Sequence, residues 1–265
     1  MKVVGLYVYP IKSCRGIPLQ KATLDGRGIV SDRSLMVVDS SGHFLTQRQH
    51  PRMALIEVEP HEEFLILKAP DCLSLIVELQ FNGDPQTVVI WRDCCQAIDQ
   101  GDEAAVWLSD FLGIPCRLVQ MAPDFVRGLD PVYTAHGQVG FADGYPFLLT
   151  NEASWQDLNE RMAAPLPMDR FRPNIVVAGA EAYAEDSWQQ IRVGEVIFEV
   201  VKPSIRCRIP TTDQLTGEQG SEPLQTLATY RLVQGEIHFG QNLVHHSAGE
   251  ILLGDDVEVL AYRQS

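Results

Sequence analysis

The sequence predicts a mainly β fold with a few helices, an α+β protein, and three observations lead there. Segments of β character dominate: residues 2–9, 34–39, 53–58, 64–68, 73–79, 87–91, 117–120, 174–178, 196–201 and 257–262 are short and apolar, and many are flanked by Gly, Pro or Asp. Short strands separated by turn residues are the pattern of small barrels and sandwiches. Residues 191–200 read as a hairpin, two apolar runs turning at Gly194. Only three stretches carry a convincing helical stripe.

Asp102 is placed to cap the first helix, over residues 103–112, with Ala104, Leu108, Phe111 and Leu112 near one face and Gly113 as its stop. Asn151 is placed to cap the second, over 152–162, where Trp155, Leu158 and Met162 follow at i, i+3 and i+7. Ser221 precedes Glu222, an early Pro223, and then Leu224, Leu227 and Tyr230 on one face. Such stripes are core contacts in the first instance. A mixed-charge segment at 121–136 with two prolines sets a boundary near residues 121–123. It divides the chain into lobes at 1–121 and 122–265, between which strands are free to exchange.

Composition removes several function classes. The 265 residues are 45% apolar and 21% charged, ordinary for a soluble globular protein with a sizeable core. No apolar run is long enough to span a bilayer, and the N-terminus lacks the core and cleavage site of a signal peptide, so a cytoplasmic protein is expected. A net charge of −14 disfavours nucleic acid and anionic membrane as partners. The six cysteines form no C-x-x-C pair. They read as reduced thiols, which argues against a disulfide framework, a cysteine-ligated cluster or a cysteine-built zinc site.

Four segments carry chemistry. Tyr9-Pro10-Ile11-Lys12-Ser13-Cys14-Arg15-Gly16 is a strand end passing into a polar turn, where an ammonium, a hydroxyl and an amide suit one phosphate. Asp32-Arg33 opens the apolar run 34–38; a guanidinium there needs an acid or an anionic ligand, and on an extended chain Asp32 would point the other way. Arg172-Pro173-Asn174 precedes a buried run, and Arg172 and Asn174 alternate onto one face, a fork and an amide for one planar ligand. The plainer reading pairs Arg172 with a carboxylate. The last, Lys202-Pro203-Ser204-Ile205-Arg206-Cys207-Arg208, is the most basic short run of an acidic chain and places a lone thiol between two arginines. Positive neighbours favour the thiolate, which is both nucleophile and ligand for soft or oxo-metals. A lone cysteine is otherwise a small buried hydrophobe.

Together these segments resemble the MOSC-domain family. The same register includes Phe141-Ala142-Asp143-Gly144-Tyr145-Pro146, Phe171-Arg172-Pro173-Asn174, Glu222-Pro223-Leu224-Gln225-Thr226-Leu227, Phe239-Gly240-Gln241-Asn242 and Gly254-Asp255. The chain looks like the branch that holds the bacterial YcbX proteins and the mitochondrial amidoxime-reducing components, from about residue 3 to 262. The resemblance implies an N-terminal β-barrel subdomain followed by a MOSC-type β-barrel. It implies a molybdenum cofactor, a Mo-pyranopterin with a terminal phosphate, and no pyridoxal phosphate. Cys207 would be the metal ligand and Asp143 would lie at the metal-facing side as a catalytic residue. Lys12, Ser13 and Arg33 would hold the phosphate, and Arg172 and Asn174 the pterin, with Arg206 beside them.

The implied activity is reduction of small N-hydroxylated compounds by oxygen-atom transfer at molybdenum. Two departures qualify it. Relatives commonly read Lys-Pro-Cys-Ser-Arg-Cys where this chain has Ser204 and Ile205, and Ile205 offers no side-chain hydrogen bond. YcbX proteins also carry a C-terminal ferredoxin-type domain, absent from these residues, so a separate electron-donor protein is expected, a flavoprotein reductase or a ferredoxin-like one. Two other readings stand beside the reductase: a cofactor-binding or carrier protein without catalysis, and a sulfur carrier using a Cys207 persulfide.

Overall fold

The computed structural model describes residues 1–134 and 136–264. It is mainly β, with three α-helices among the described residues. The largest sheet has nine strands; its main path runs Val257–Tyr262, Trp188–Val193, Val196–Ile205, Glu236–His245, Phe147–Asn151, Ile175–Ala178, Lys2–Val8 and Ile17–Pro18. Strands from both ends of the chain therefore share one sheet. The strand Lys2–Val8 lies antiparallel to Ile175–Ala178, and Lys21–Asp25 pairs with Gly249–Leu252. Val3, Leu6, Leu149, Ile191, Phe198 and Leu243 fill the core between these layers.

A second sheet runs Leu35–Asp39, Cys116–Met121, Asp93–Asp99, Gln86–Ile90. Its two faces serve different cores. Leu35, Val37 and Leu118 pack with Leu108 and Phe111, while Met36, Val38 and Val119 pack with Ile90 and Phe141. A strand buried on both faces has no polar side to show, which is why residues 35–38 read as an unbroken apolar run.

The hairpin forms as expected: Val193 opposes Val196 across a two-residue turn with Gly194 at φ 56°. The first helix is Asp102–Leu112, and Gly113 ends it in the left-handed region at φ 73°. Its cap differs from expectation. Gly101 holds that position, its amide donates to Asp99 Oδ1 at 2.8 Å, and Asp102 is the first helical residue, paired with Arg117. The second helix is Glu152–Arg161, capped as expected by Asn151, whose side chain accepts from the Ala153 amide at 3.1 Å.

Elsewhere the pattern misleads. Residues 53–58 are not one strand: Pro51–Leu55 is a 3-10 turn and the strand Glu57–Pro60 follows it. Pro51 at the start fixes φ, and Met53, Ala54 and Leu55 are all buried, which a half-exposed strand could not achieve. The third helix is the single turn Leu224–Leu227, too short for the stripe to reach Tyr230, and Ser221 does not cap it. The ten-residue strand Glu236–His245 is disguised by Gly240, Gln241 and Asn242 at its centre. Gly240 has φ 78°, and a Cβ there would lie 2.7 Å from the Leu149 carbonyl, so the sheet needs a glycine at that point.

Candidate cofactor site

One end of the large sheet opens into a cavity of about 310 Å³. Lys12, Ser13, Arg33, Asp143, Arg172, Asn174, Arg206 and Cys207 all line it, so the residues that the resemblance assigns to cofactor and metal converge there. Arg48 and Lys202 join them, and six cationic side chains (Lys12, Arg33, Arg48, Arg172, Lys202 and Arg206) line the cavity together with Asp143 in a protein of net charge −14.

The convergence is built by loops tied to strand ends. The turn after Lys2–Val8 is anchored by the Lys12 amide on the Leu35 carbonyl at 2.8 Å, and the Arg33 amide donates to the Tyr9 carbonyl at 2.7 Å. The segment 140–143 crosses over both, with the Phe141 amide on the Arg33 carbonyl at 2.7 Å. A Cβ on Gly140 would sit 2.7 Å from that same carbonyl, so the crossing requires glycine. Arg127 fastens the segment from behind: its guanidinium donates to the carbonyls of Gly140 (2.9 Å), Ala142 (2.6 Å) and Asp143 (3.2 Å) and pairs with Asp93.

Asp32 and Arg33 do not point apart. Ser31 and Arg33 both have positive φ, 69° and 45°, so the chain is a tight turn here, and Arg33 Nη1 donates to Asp32 Oδ2 at 2.5 Å. The expectation assumed an extended backbone, and the turn removes its premise. Arg33 also donates to Asn174 Oδ1 at 3.0 Å. Asn174 is 1% exposed; its Oδ1 further accepts from the Leu148 amide and its Nδ2 donates to the Tyr7 carbonyl. Its amide thus knits the site's walls together.

Arg172 takes the left-handed conformation at φ 57° and lies 4.2 Å over the Tyr9 ring, as Arg33 does. It meets no carboxylate within 4 Å among the described residues; its Nη1 donates to Gln214 Oε1 at 3.4 Å. Burial pushes it down to about 10, and neighbouring Arg33 adds to that. Its Nη2, Arg48 Nη1 and Arg206 Nε are buried with no partner among the described residues.

Cys207 follows the strand Val196–Ile205 at the sheet's rim, held by the Arg206 amide on the Ile237 carbonyl at 2.7 Å. Arg48 Nε donates to Cys207 Sγ at 3.3 Å, and Arg48 Nη2 pairs with Asp143 Oδ2 at 2.6 Å. Asp143 also pairs with Lys12 and accepts from the Trp91 indole at 3.2 Å. Burial raises the Asp143 carboxyl, but Lys12 and Arg48 overcome it and hold the group far below the usual carboxylate range. Lys12 is 5% exposed; burial lowers its ammonium to about 8 against the opposing pull of Asp143. Ser204 and Ile205 part ways: Ser204 Oγ accepts from Arg206 Nη1 at 3.0 Å, whereas Ile205 is 46% exposed at the cavity wall.

Sequence reasoning missed Arg48, Arg127, Trp91 and Gln214. Arg48 lies in Thr46-Gln47-Arg48-Gln49, a polar stretch with no periodicity to mark it. Arg127 had one signal, a charge inside the segment taken as a boundary.

The chain matches the MOSC N-terminal beta barrel domain over residues 1–115 and the MOSC domain over 136–258. It is 35% identical to mitochondrial amidoxime-reducing component 1 of Mus musculus, over 97% of this chain and 82% of that protein. Identity to mitochondrial amidoxime reducing component 2 of Homo sapiens is 36%, over 87% of this chain and 72% of that protein. The molybdenum cofactor sulfurase of Bos taurus is 29% identical over 92% of this chain, which corresponds to 30% of that longer protein. The chain therefore belongs to the MOSC family, with an N-terminal beta barrel domain followed by a MOSC domain, and is homologous to the mitochondrial amidoxime-reducing components.

Proposed function

We propose that the protein is a molybdenum-cofactor-dependent reductase of small N-hydroxylated compounds, with the Cys207 thiolate as the protein's ligand to the metal. One observation carries this reading. A thiol shares its cavity with three guanidinium N–H groups, on Arg48, Arg172 and Arg206, that are buried without partners. A buried unpaired donor costs about 1–3 kcal/mol, and more when charged. Three around one cavity fit an anionic ligand rich in acceptors, and the thiolate suits a soft or oxo-metal. The relatives named for amidoxime reduction add to the case.

When bound, the cofactor would supply a metal centre that exchanges two electrons with an N–O bond; the overall reaction takes up two electrons and two protons and releases an amine or amidine and water. The chain's own residues orient and charge-balance. Arg172 and Arg206 would donate to the pterin's acceptors, and Ser13 and Arg33 to the phosphate. Lys12 has already committed Nζ to Asp143 and to the Phe141 carbonyl at 2.9 Å, so it would act on the phosphate chiefly through its charge. Lys12 and Arg48 hold Asp143 ionised at neutral pH, and in that state it positions Arg48 against Cys207. Burial lowers Lys12 Nζ to about 8, so at neutral pH it still carries the charge that would face the phosphate. A separate flavoprotein reductase or ferredoxin-like protein would return the electrons.

The test is expression in a host that makes the cofactor, with molybdenum and pterin measured in wild type and Cys207→Ala. Near-stoichiometric molybdenum that the substitution abolishes supports the reading, and chemically reduced protein should then convert a hydroxylamine to the amine. Absence of molybdenum from the wild type would overturn it, and bound molybdenum without turnover would leave a cofactor carrier.

A further inference from the structure

Away from the cavity, His136, Glu199 and His246 bring one ligand atom each to within 4.8 Å of one another. None belongs to a motif used above. The three come from separate parts of the chain: Glu199 from the strand Val196–Ile205, His246 from just past the end of its neighbour Glu236–His245, and His136 from a loop. The two strands set half of the site. Glu199 opposes Val244, and the His246 amide donates to the Ile197 carbonyl at 3.1 Å, which fixes the histidine beside the carboxylate. The two imidazoles are tilted to each other with centroids 5.4 Å apart.

We propose that His136, Glu199 and His246 form a site for a divalent transition-metal ion that fastens the loop 128–138 to the large sheet. Two imidazoles and a carboxylate are the donor set of zinc and its first-row neighbours, and poor ligands for magnesium or calcium. Bond lengths of about 2.0–2.1 Å in a tetrahedron put donor atoms roughly 3.4 Å apart. Side-chain rotation of a little over an ångström takes the present spacing there, because two of the three side chains are exposed. The fourth position is left to water.

The loop gives the site its consequence. It is closed at its base by the pairing of Gly128 with Gln138, and it carries Tyr133 to 4.0 Å beneath the Lys202 ammonium, which lines the cofactor cavity. Residues 116–135 fall between the two matched family domains and His136 is the first residue of the second, so the ion would pin the point at which that connection enters the domain.

The probe is Zn(II), titrated by calorimetry into the full chain, with Co(II) spectra to report the ligand type. One ion per chain, with no thiolate charge-transfer band, is expected. His136→Ala, His246→Ala and Glu199→Gln should each weaken it at least tenfold while leaving the metal-free melting temperature unchanged, since these side chains are exposed or half-buried. Zn(II) should also slow proteolysis within 128–138, and the histidine substitutions should abolish that protection. Zn(II) that fails to bind, that binds equally to all three variants, that is lost only in Cys207→Ser or Cys94→Ser, or that leaves the loop's cleavage rate unchanged overturns the proposal. None of these readouts depends on molybdenum or turnover.

Discussion

Replacing Arg127 by alanine tests whether the floor of the site is held from behind by a single side chain. The guanidinium is 6% exposed and donates to three backbone carbonyls, two of them through fully buried bonds. A hydrogen bond from a charged donor is worth about 1.5–3 kcal/mol, so the two buried ones contribute roughly 3–6 kcal/mol. The ion pair with Asp93 adds little, about 0–1 kcal/mol, because that carboxylate is 45% exposed. Water entry and relaxation recover part of the loss, leaving about 3–5 kcal/mol. For a protein of this size that is a fall in Tm of roughly 6–20 °C. Thermal and urea melts of wild type and Arg127→Ala measure it. Arg127→Lys should fall between them, since one ammonium cannot span the carbonyls that the fork reaches. A loss below about 1 kcal/mol for the alanine variant would refute the reasoning.

Two further outcomes follow from buried charge. Glu185 is 1% exposed, and burial lifts its carboxyl above the ordinary value despite hydrogen bonds from Ser154 and Asn151. The folded state thus holds the proton more tightly than the unfolded one, so stability falls as pH rises from the ordinary carboxylate value through the native one. Glu185→Gln should remove that fall in urea midpoints taken between pH 4 and 8; parallel profiles for both proteins would contradict it. At Lys12 the native value of about 8 lies below the ordinary 10.5, so its charge is present at pH 7 and lost as pH climbs through 8. Inorganic phosphate bound by the cofactor-free protein should weaken above pH 8, by up to about tenfold per pH unit, and Lys12→Met should flatten the profile. An unchanged slope in the variant would show that another group titrates.

Much of the site was legible because its residues are chemically out of place. Arg33 at the head of an apolar run and Cys207 between two arginines each break a local pattern, and such breaks mark function. Arg48 and Arg127 break nothing in sequence; their roles exist only once residues far apart meet. The same holds for the fold. The run 35–38 and the hairpin at Gly194 are written in local pattern, whereas Glu236–His245 carries glycine and amides at its centre because of a close approach by Leu149. No neighbour in sequence records that contact.

The sharing of one sheet by both ends of the chain has a consequence for synthesis. Lys2–Val8 is made about 170 residues before its partner Ile175–Ala178, some 9–34 s earlier at roughly 5–20 residues per second. The apolar face of that first strand must wait, shielded by a chaperone or by transient contacts. Lys12 and Arg33 are made well before Cys207, so the cavity is incomplete until the strand that leads to Cys207 has been made. Loading of any prosthetic group is thereby deferred past that point, and a shorter nascent fragment has no competent pocket in which to trap it.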